Sequence, residues 1–181
     1  MNRYLQVPGN LQIVANHVAS ELAVGEIHPP MGECVLRLNG EVLSFPSRVY
    51  YRTDRIAAVV RGLQGEAKHV ALCLASRHHD GHVREAAIRN PCLLESSLFI
   101  PFSVQLLGEY VVEICKAIEE QMATLGLQPF IDFAKENPAF VETTRRRAIS
   151  YWNCYYRRDY VNLRDFPCYR AIQIIILAAR E

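Results

Sequence analysis

Apolar and polar positions alternate along the chain in two rhythms. Near the start, Leu11, Val14, Val18 and Leu22 recur at helical spacing behind Asn10, which predicts a short helix with an asparagine cap. The segment GEIHPPMGE, with its paired prolines, breaks that rhythm. CVLRLNGEVLSF then alternates on either side of Asn39-Gly40, a pair suited to a two-residue turn in which both positions take positive φ, and predicts a β-hairpin over about 34–45. Pro46 and the following VYYR lead out of it as a further extended piece. From Thr53 onward the spacing is helical. Ile56, Val59, Val60 and Leu63 form one run behind a Thr53 or Asp54 cap, and Val70, Leu72, Cys73 and Leu74 form the next, after Gly62 and Gly65. Further helices are predicted at about 81–90, 109–123, 139–156 and 167–180, with turn and helix-start chemistry at Asn90-Pro91, Gly126, Glu136-Asn137-Pro138 and Asp165-Phe166-Pro167.

The helical part repeats. Val83-Arg84, Val112-Glu113 and Val141-Glu142 are 29 residues apart each time. Pro101-Phe102 and Pro129-Phe130 lie 11 and 12 residues before the second and third valines. Each unit therefore reads as a short helix opening near the proline, a turn at Gly108-Glu109 or Glu136-Asn137-Pro138, and a longer helix carrying the valine. Two such helices cannot hide their apolar stripes alone, so successive pairs are expected to stack. In the last of them Val141, Ala148, Trp152 and Tyr155 are expected on one side.

The segment Asp80-Gly81-His82-Val83-Arg84-Glu85-Ala86-Ala87 matches D-x-x-V-R-x-x-A, and with it residues 53–181 resemble the HEAT-like α-helical repeats, several of them bacterial. The resemblance implies a mainly α fold: a short α-solenoid of helix pairs after a small N-terminal β-hairpin segment. It sets residues 1–52 apart from residues 53–181, the two being packed as one globular unit. Asp80 is expected to cap its helix, and Val83 and Ala87 to form a close-packed inner face. In the family the arginine typically joins a ladder with acidic turn residues. Glu113 and Glu142 stand where later arginines would, which departs from that pattern.

Composition narrows the classes. Half of the 181 residues are hydrophobic and 22% are charged, the balance of a globular chain. A formal net charge of +1 supplies no overall field to draw nucleic acid or membrane, so such a role needs a local patch. The N-terminus lacks the pattern of a secretory signal, and IQIIILAA is too short to span a bilayer. A soluble, cytoplasmic protein is expected, with no membrane partner and with its six cysteines reduced. The last segment, PCYRAIQIIILAARE, has almost no polar face. It is expected to pack centrally or to be covered by a second copy, which makes homo-oligomerisation through this helix an expectation.

Candidate chemistry is sparse. His78, His79 and His82 with Asp80 suggest a metal site, but Asp80-Gly81 is turn chemistry, no second ligand cluster follows, and three solvent-facing histidines are the expectation. There is no nucleophile elbow, phosphate loop or dinucleotide fingerprint, so no catalytic residue and no cofactor are assigned. The anomaly is residues 140–170, which hold seven arginines, no lysine, three acids and eight aromatics. Arg146, Ser150, Asn153 and Arg157 share a polar helical face, with Trp152 and Tyr155 expected towards the apolar seam. Arg146, Arg147, Tyr151, Arg157 and Arg158 are the candidate binding residues, since arginine and tyrosine suit acidic groups and flat rings. The reading is a non-catalytic interaction or scaffold module that binds a protein, a peptide or another acidic partner. The alternative is a nucleic-acid-binding or DNA-repair-type protein using residues 140–170, as HEAT-like DNA glycosylases use a basic face.

Overall fold

In a computed structural model, residues 5–181 are described, and they form a mainly helical protein with one two-stranded antiparallel hairpin. The chain divides into two compact units, the first ending at Phe99 and the second covering Ile100–Glu181.

In the first unit a 3-10 turn at Gly9–Leu11 leads into α1, Gln12–Ala23. Asn10 lies inside that turn and caps nothing; the chain enters α1 already helical at Leu11, so no side-chain cap is needed. Leu11, Ala15, Val18, Ala19 and Leu22 form its buried stripe. The hairpin is much longer than its sequence pattern: β1 is Glu26–Leu38 and β2 is Glu41–Tyr51. GEIHPPMGE does not break the chain but runs as the first half of β1, with the register irregular between Glu26 and Met31. The prolines are accommodated because both fall where the register breaks between His28 and Met31, outside the paired positions. Asn39 and Gly40 make the turn with φ of 54° and 82°. Cys34, Leu36, Leu38, Leu43 and Phe45 give the sheet its buried face.

Three helices complete this unit: α2 (Thr53–Gly62), α3 (Gly65–Ala75) and α4 (Gly81–Ile88), followed by a 3-10 turn at Pro91–Glu95 that the Asn90 side chain caps. No side chain caps α2; Thr53 and Asp54 are already inside it. α3 packs on α1, α2 and α4, and its residues Val70 to Ala75 are all buried.

The second unit holds α5 (Phe99–Leu106), α6 (Val112–Leu125), α7 (Gln128–Glu136), α8 (Pro138–Tyr151) and α9 (Pro167–Ala178). Pro101, Pro129, Pro138 and Pro167 all sit in first turns, where the missing N–H costs no hydrogen bond. After α8 the backbone widens into a π-helical turn at Trp152–Tyr156. One face of α9 packs centrally against α6, α7 and α8, burying Cys168, Ala171, Ile172 and Ile175, while Ile174 and Leu177 remain exposed. The six cysteines are not all reduced: Cys115 of α6 and Cys168 of α9, both fully buried, are joined as a disulfide. Packing α9 on α6 brings their Cα atoms to 5.0 Å, within bonding range, and spacing along the chain carries no sign of that pairing. Among the described residues no helix is long and apolar enough to cross a membrane.

Candidate functional site

The histidine segment forms a structural joint. Ser76 to Asp80 runs along the outer side of β2, where Val49 N–H donates to the Arg77 carbonyl at 2.9 Å and His79 N–H to the Val49 carbonyl at 3.0 Å. The guanidinium of Arg77 donates to the Ser47 carbonyl at 2.6 Å. Arg84, which is 1% exposed, donates to the carbonyls of His78 and His79 at 2.8 and 2.9 Å. The arginine of the D-x-x-V-R-x-x-A segment thus fastens its own loop. Asp80 caps α4 as expected, accepting from His82 N–H at 2.8 Å.

Only His79 and His82 face solvent; His78 is fully buried, because the loop folds its ring under the hairpin. Its Nδ1 accepts from Asp80 N–H at 3.1 Å, which assigns the proton to Nε2, and Nε2 donates to the Tyr51 carbonyl at 2.8 Å. Desolvation by burial holds its pKa below the ordinary histidine value. Both nitrogens are engaged, and no group of three or more metal-ligating side chains converges among the described residues. Val83 is only half-buried. With Ile56, Val60, Leu72 and Ala87 it lines an open apolar groove of about 410 Å³ between α2, α3 and α4, so the two motif residues do not form a closed inner face.

The basic segment separates into engaged and exposed arginines. Arg145 clamps Glu142 with two bonds of 2.7 and 2.9 Å, and Arg146 reaches the same carboxylate at 3.3 Å. The Arg145 bonds are the main reason that the Glu142 pKa falls to about 2. Arg170 clamps Glu119 in the same bidentate way, at 2.7 Å for each bond. Arg157 lies 5.2 Å over the Trp152 ring and donates to Asn153. Arg147 and Arg158 are exposed and have no carboxylate within ion-pair distance among the described residues.

Aromatic residues lie between those two arginines along the chain. Tyr151 and Tyr155 stack with centroids 6.1 Å apart and planes at 25°, and Tyr110, from the turn between α5 and α6, stands 6.0 Å from Tyr151. Gly108 brings that turn against α8: a Cβ there would meet Thr144 Cγ2 at 3.2 Å and Arg147 Cβ at 3.4 Å. The Tyr156 hydroxyl donates to the Tyr110 carbonyl, and its ring stacks on Phe166 at 5.1 Å. Trp152 Nε1 donates to the Tyr160 carbonyl at 2.8 Å. These bonds and the Phe166 stack fix the Tyr110 backbone and the Trp152 and Tyr156 side chains beside the row.

Tyr155 does not join the apolar seam. It is 68% exposed, because the π-helical turn adds a residue per turn and rotates later side chains out of the stripe begun by Val141 and Ala148. Of the five sequence candidates, Tyr151 is in ring contact with Tyr110 and Tyr155, Arg147 and Arg158 are exposed, and Arg146 and Arg157 serve Glu142, Asn153 and Trp152. Tyr110 and Tyr155 were missing from the candidate set. The i,i+4 spacing of Tyr151 and Tyr155 was a readable signal for one of them; nothing local marks Tyr110. The fold defines a class no narrower than a mainly helical protein with an antiparallel hairpin. Compared with protein-family models, curated proteins and solved structures, the chain matches none.

Proposed function

We propose that this chain is a non-catalytic interaction module, built on HEAT-like helix pairs, that binds an acidic partner through Arg147, Tyr151, Tyr155 and Arg158 with Tyr110 beside them. The repeat reading is supported by α5–α6 and α7–α8, each a short helix with a proline in its first turn followed by a longer helix that carries Val112 or Val141. One observation carries the binding reading: two exposed arginines without carboxylate partners flank a row of tyrosines that the surrounding structure holds in place. A guanidinium donates a planar fork to carboxylate or phosphate, and a preordered aromatic surface loses little entropy on contact.

The test titrates labelled polyglutamate and labelled oligothymidine at low salt, using the wild-type chain and an Arg147→Glu/Arg158→Glu variant. The expected result is binding of at least one acidic probe, weakened about tenfold or more in the variant, with an unchanged melting temperature. Absence of binding to both probes at low salt overturns the reading.

A further inference from the structure

Resting on that reading, we infer that the acidic partner is a single-stranded nucleic acid, whose bases stack on the row Tyr110, Tyr151 and Tyr155 and whose phosphates meet Arg147 and Arg158. Charge alone does not choose between a carboxylate-rich peptide and a polynucleotide. The rings do. Three of the seven arginines between residues 140 and 170, Arg145, Arg146 and Arg170, are occupied by Glu142 and Glu119. What the stripe offers most is aromatic surface: Tyr155 at 68% and Tyr110 at 49% exposed, on either side of a half-buried Tyr151. An acidic peptide meets that surface only with the scattered apolar side chains between its carboxylates, whereas every base of a polynucleotide presents a π-face to it.

Geometry supports the same occupant. The planes of Tyr151 and Tyr155 lie within 25° of each other at a centroid spacing of 6.1 Å, and Tyr110 follows at 6.0 Å with its ring tilted by 53°, which gives neighbouring aromatic surfaces for successive bases. Arg147 precedes Tyr151 by four residues and Arg158 follows Tyr155 by three. Arg147 lies on α8 one turn before Tyr151, and Arg158 lies in the turn that follows the π-helical segment, so along the chain one guanidinium stands on each side of the tyrosine pair. A phosphate backbone running along the stripe meets positive charge at both ends and rings between them. A duplex keeps its base faces inside the stack and presents phosphates, sugars and base edges, so it offers the tyrosines no ring to stack on. Because stacking tolerates any base, binding is expected with little sequence preference.

The experiment measures anisotropy of labelled oligothymidine of about 12 nucleotides, with a duplex of equal length and polyglutamate as competitors, on the full-length chain. The single strand should bind more tightly than the duplex. Tyr155→Ala should weaken it at least about fivefold, the loss of one stacked base, while Tyr155→Phe keeps it. The logarithm of affinity should fall with that of salt concentration with a slope of about −1.4, the value for two phosphate contacts on a single strand. Tyr155 is exposed, and an unchanged melting temperature separates lost binding from lost folding. Equal affinity for duplex and single strand, or indifference to Tyr155→Ala, overturns the stacking proposal. Binding of polyglutamate but not of the oligonucleotide also overturns it, yet leaves the acidic-partner reading standing. Failure of both probes removes the two together.

Discussion

The imidazole of His78 has no route to water, and its two nitrogens face backbone groups of opposite polarity: an N–H at Nδ1 and a carbonyl at Nε2. Protonation would turn Nδ1 into a donor facing the Asp80 N–H and would add a charge beside Arg84 and His79, with only Asp80 and the Tyr51 carbonyl to favour it. The folded-state pKa is therefore below the unfolded value of about 6.5, and the unfolded chain binds more protons. Stability should be intact above that value and should decline as pH falls through it towards the folded pKa. Each tenfold preference for the neutral ring is worth about 1.4 kcal/mol. Urea unfolding at pH 7.5 and pH 5 should show the loss in the wild type and a smaller loss in His78→Gln; equal losses would remove His78 as the cause. Sequence placed this histidine in a turn beside the Asp80 cap, and both placements are correct. Its burial was not legible, because that depends on β2, which lies some thirty residues earlier in the chain and supplies the carbonyls that Arg77 and His78 bond.

At the scale of elements, the hairpin turn was the most readable feature, since Asn39 and Gly40 are chosen for a backbone region that other residues avoid. A Cβ on Gly40 would meet nothing within 4 Å, so Gly40→Ala tests backbone strain alone. It should cost about 1–2 kcal/mol, read as a lower melting temperature with an unchanged helical signal. The hairpin's length was not legible. Pro29 and Pro30 look like breakers until they are seen to fall in the register break between His28 and Met31. The same limit explains Tyr155, for helical spacing assigned it correctly up to Tyr151 and the widened turn then shifted the register. Pairing of Arg145 and Arg146 with Glu142, three and four residues apart, is present in the sequence as an ordinary helical charge pattern, and it removes two arginines from the proposed binding face.

For the molecule as a whole, the stability of the second unit rests in part on the Cys115–Cys168 bond, which closes a span of 53 residues between α6 and α9. By chain entropy such a cross-link is worth about 4 kcal/mol. A Cys115→Ala/Cys168→Ala variant should therefore melt well below the wild type, and a reductant should lower the wild type's transition but not the variant's. Identical melting curves with and without reductant would contradict the bond. Apolar spacing laid out the helices that carry both cysteines, yet partners 53 residues apart meet only once α9 is docked. At the other end of the chain the two sides of the hairpin differ. The outer side of β2 is partly taken up by Gln6 and His78, while that of β1 carries no partner strand among the described residues. Pro29 and Pro30 sit on that border with no N–H to donate, next to a register that is already irregular. Over that first half of β1 a strand from a neighbouring molecule finds no continuous row to zip onto, so any edge-to-edge fusion of crowded copies is confined to the regular stretch Glu33 to Leu38.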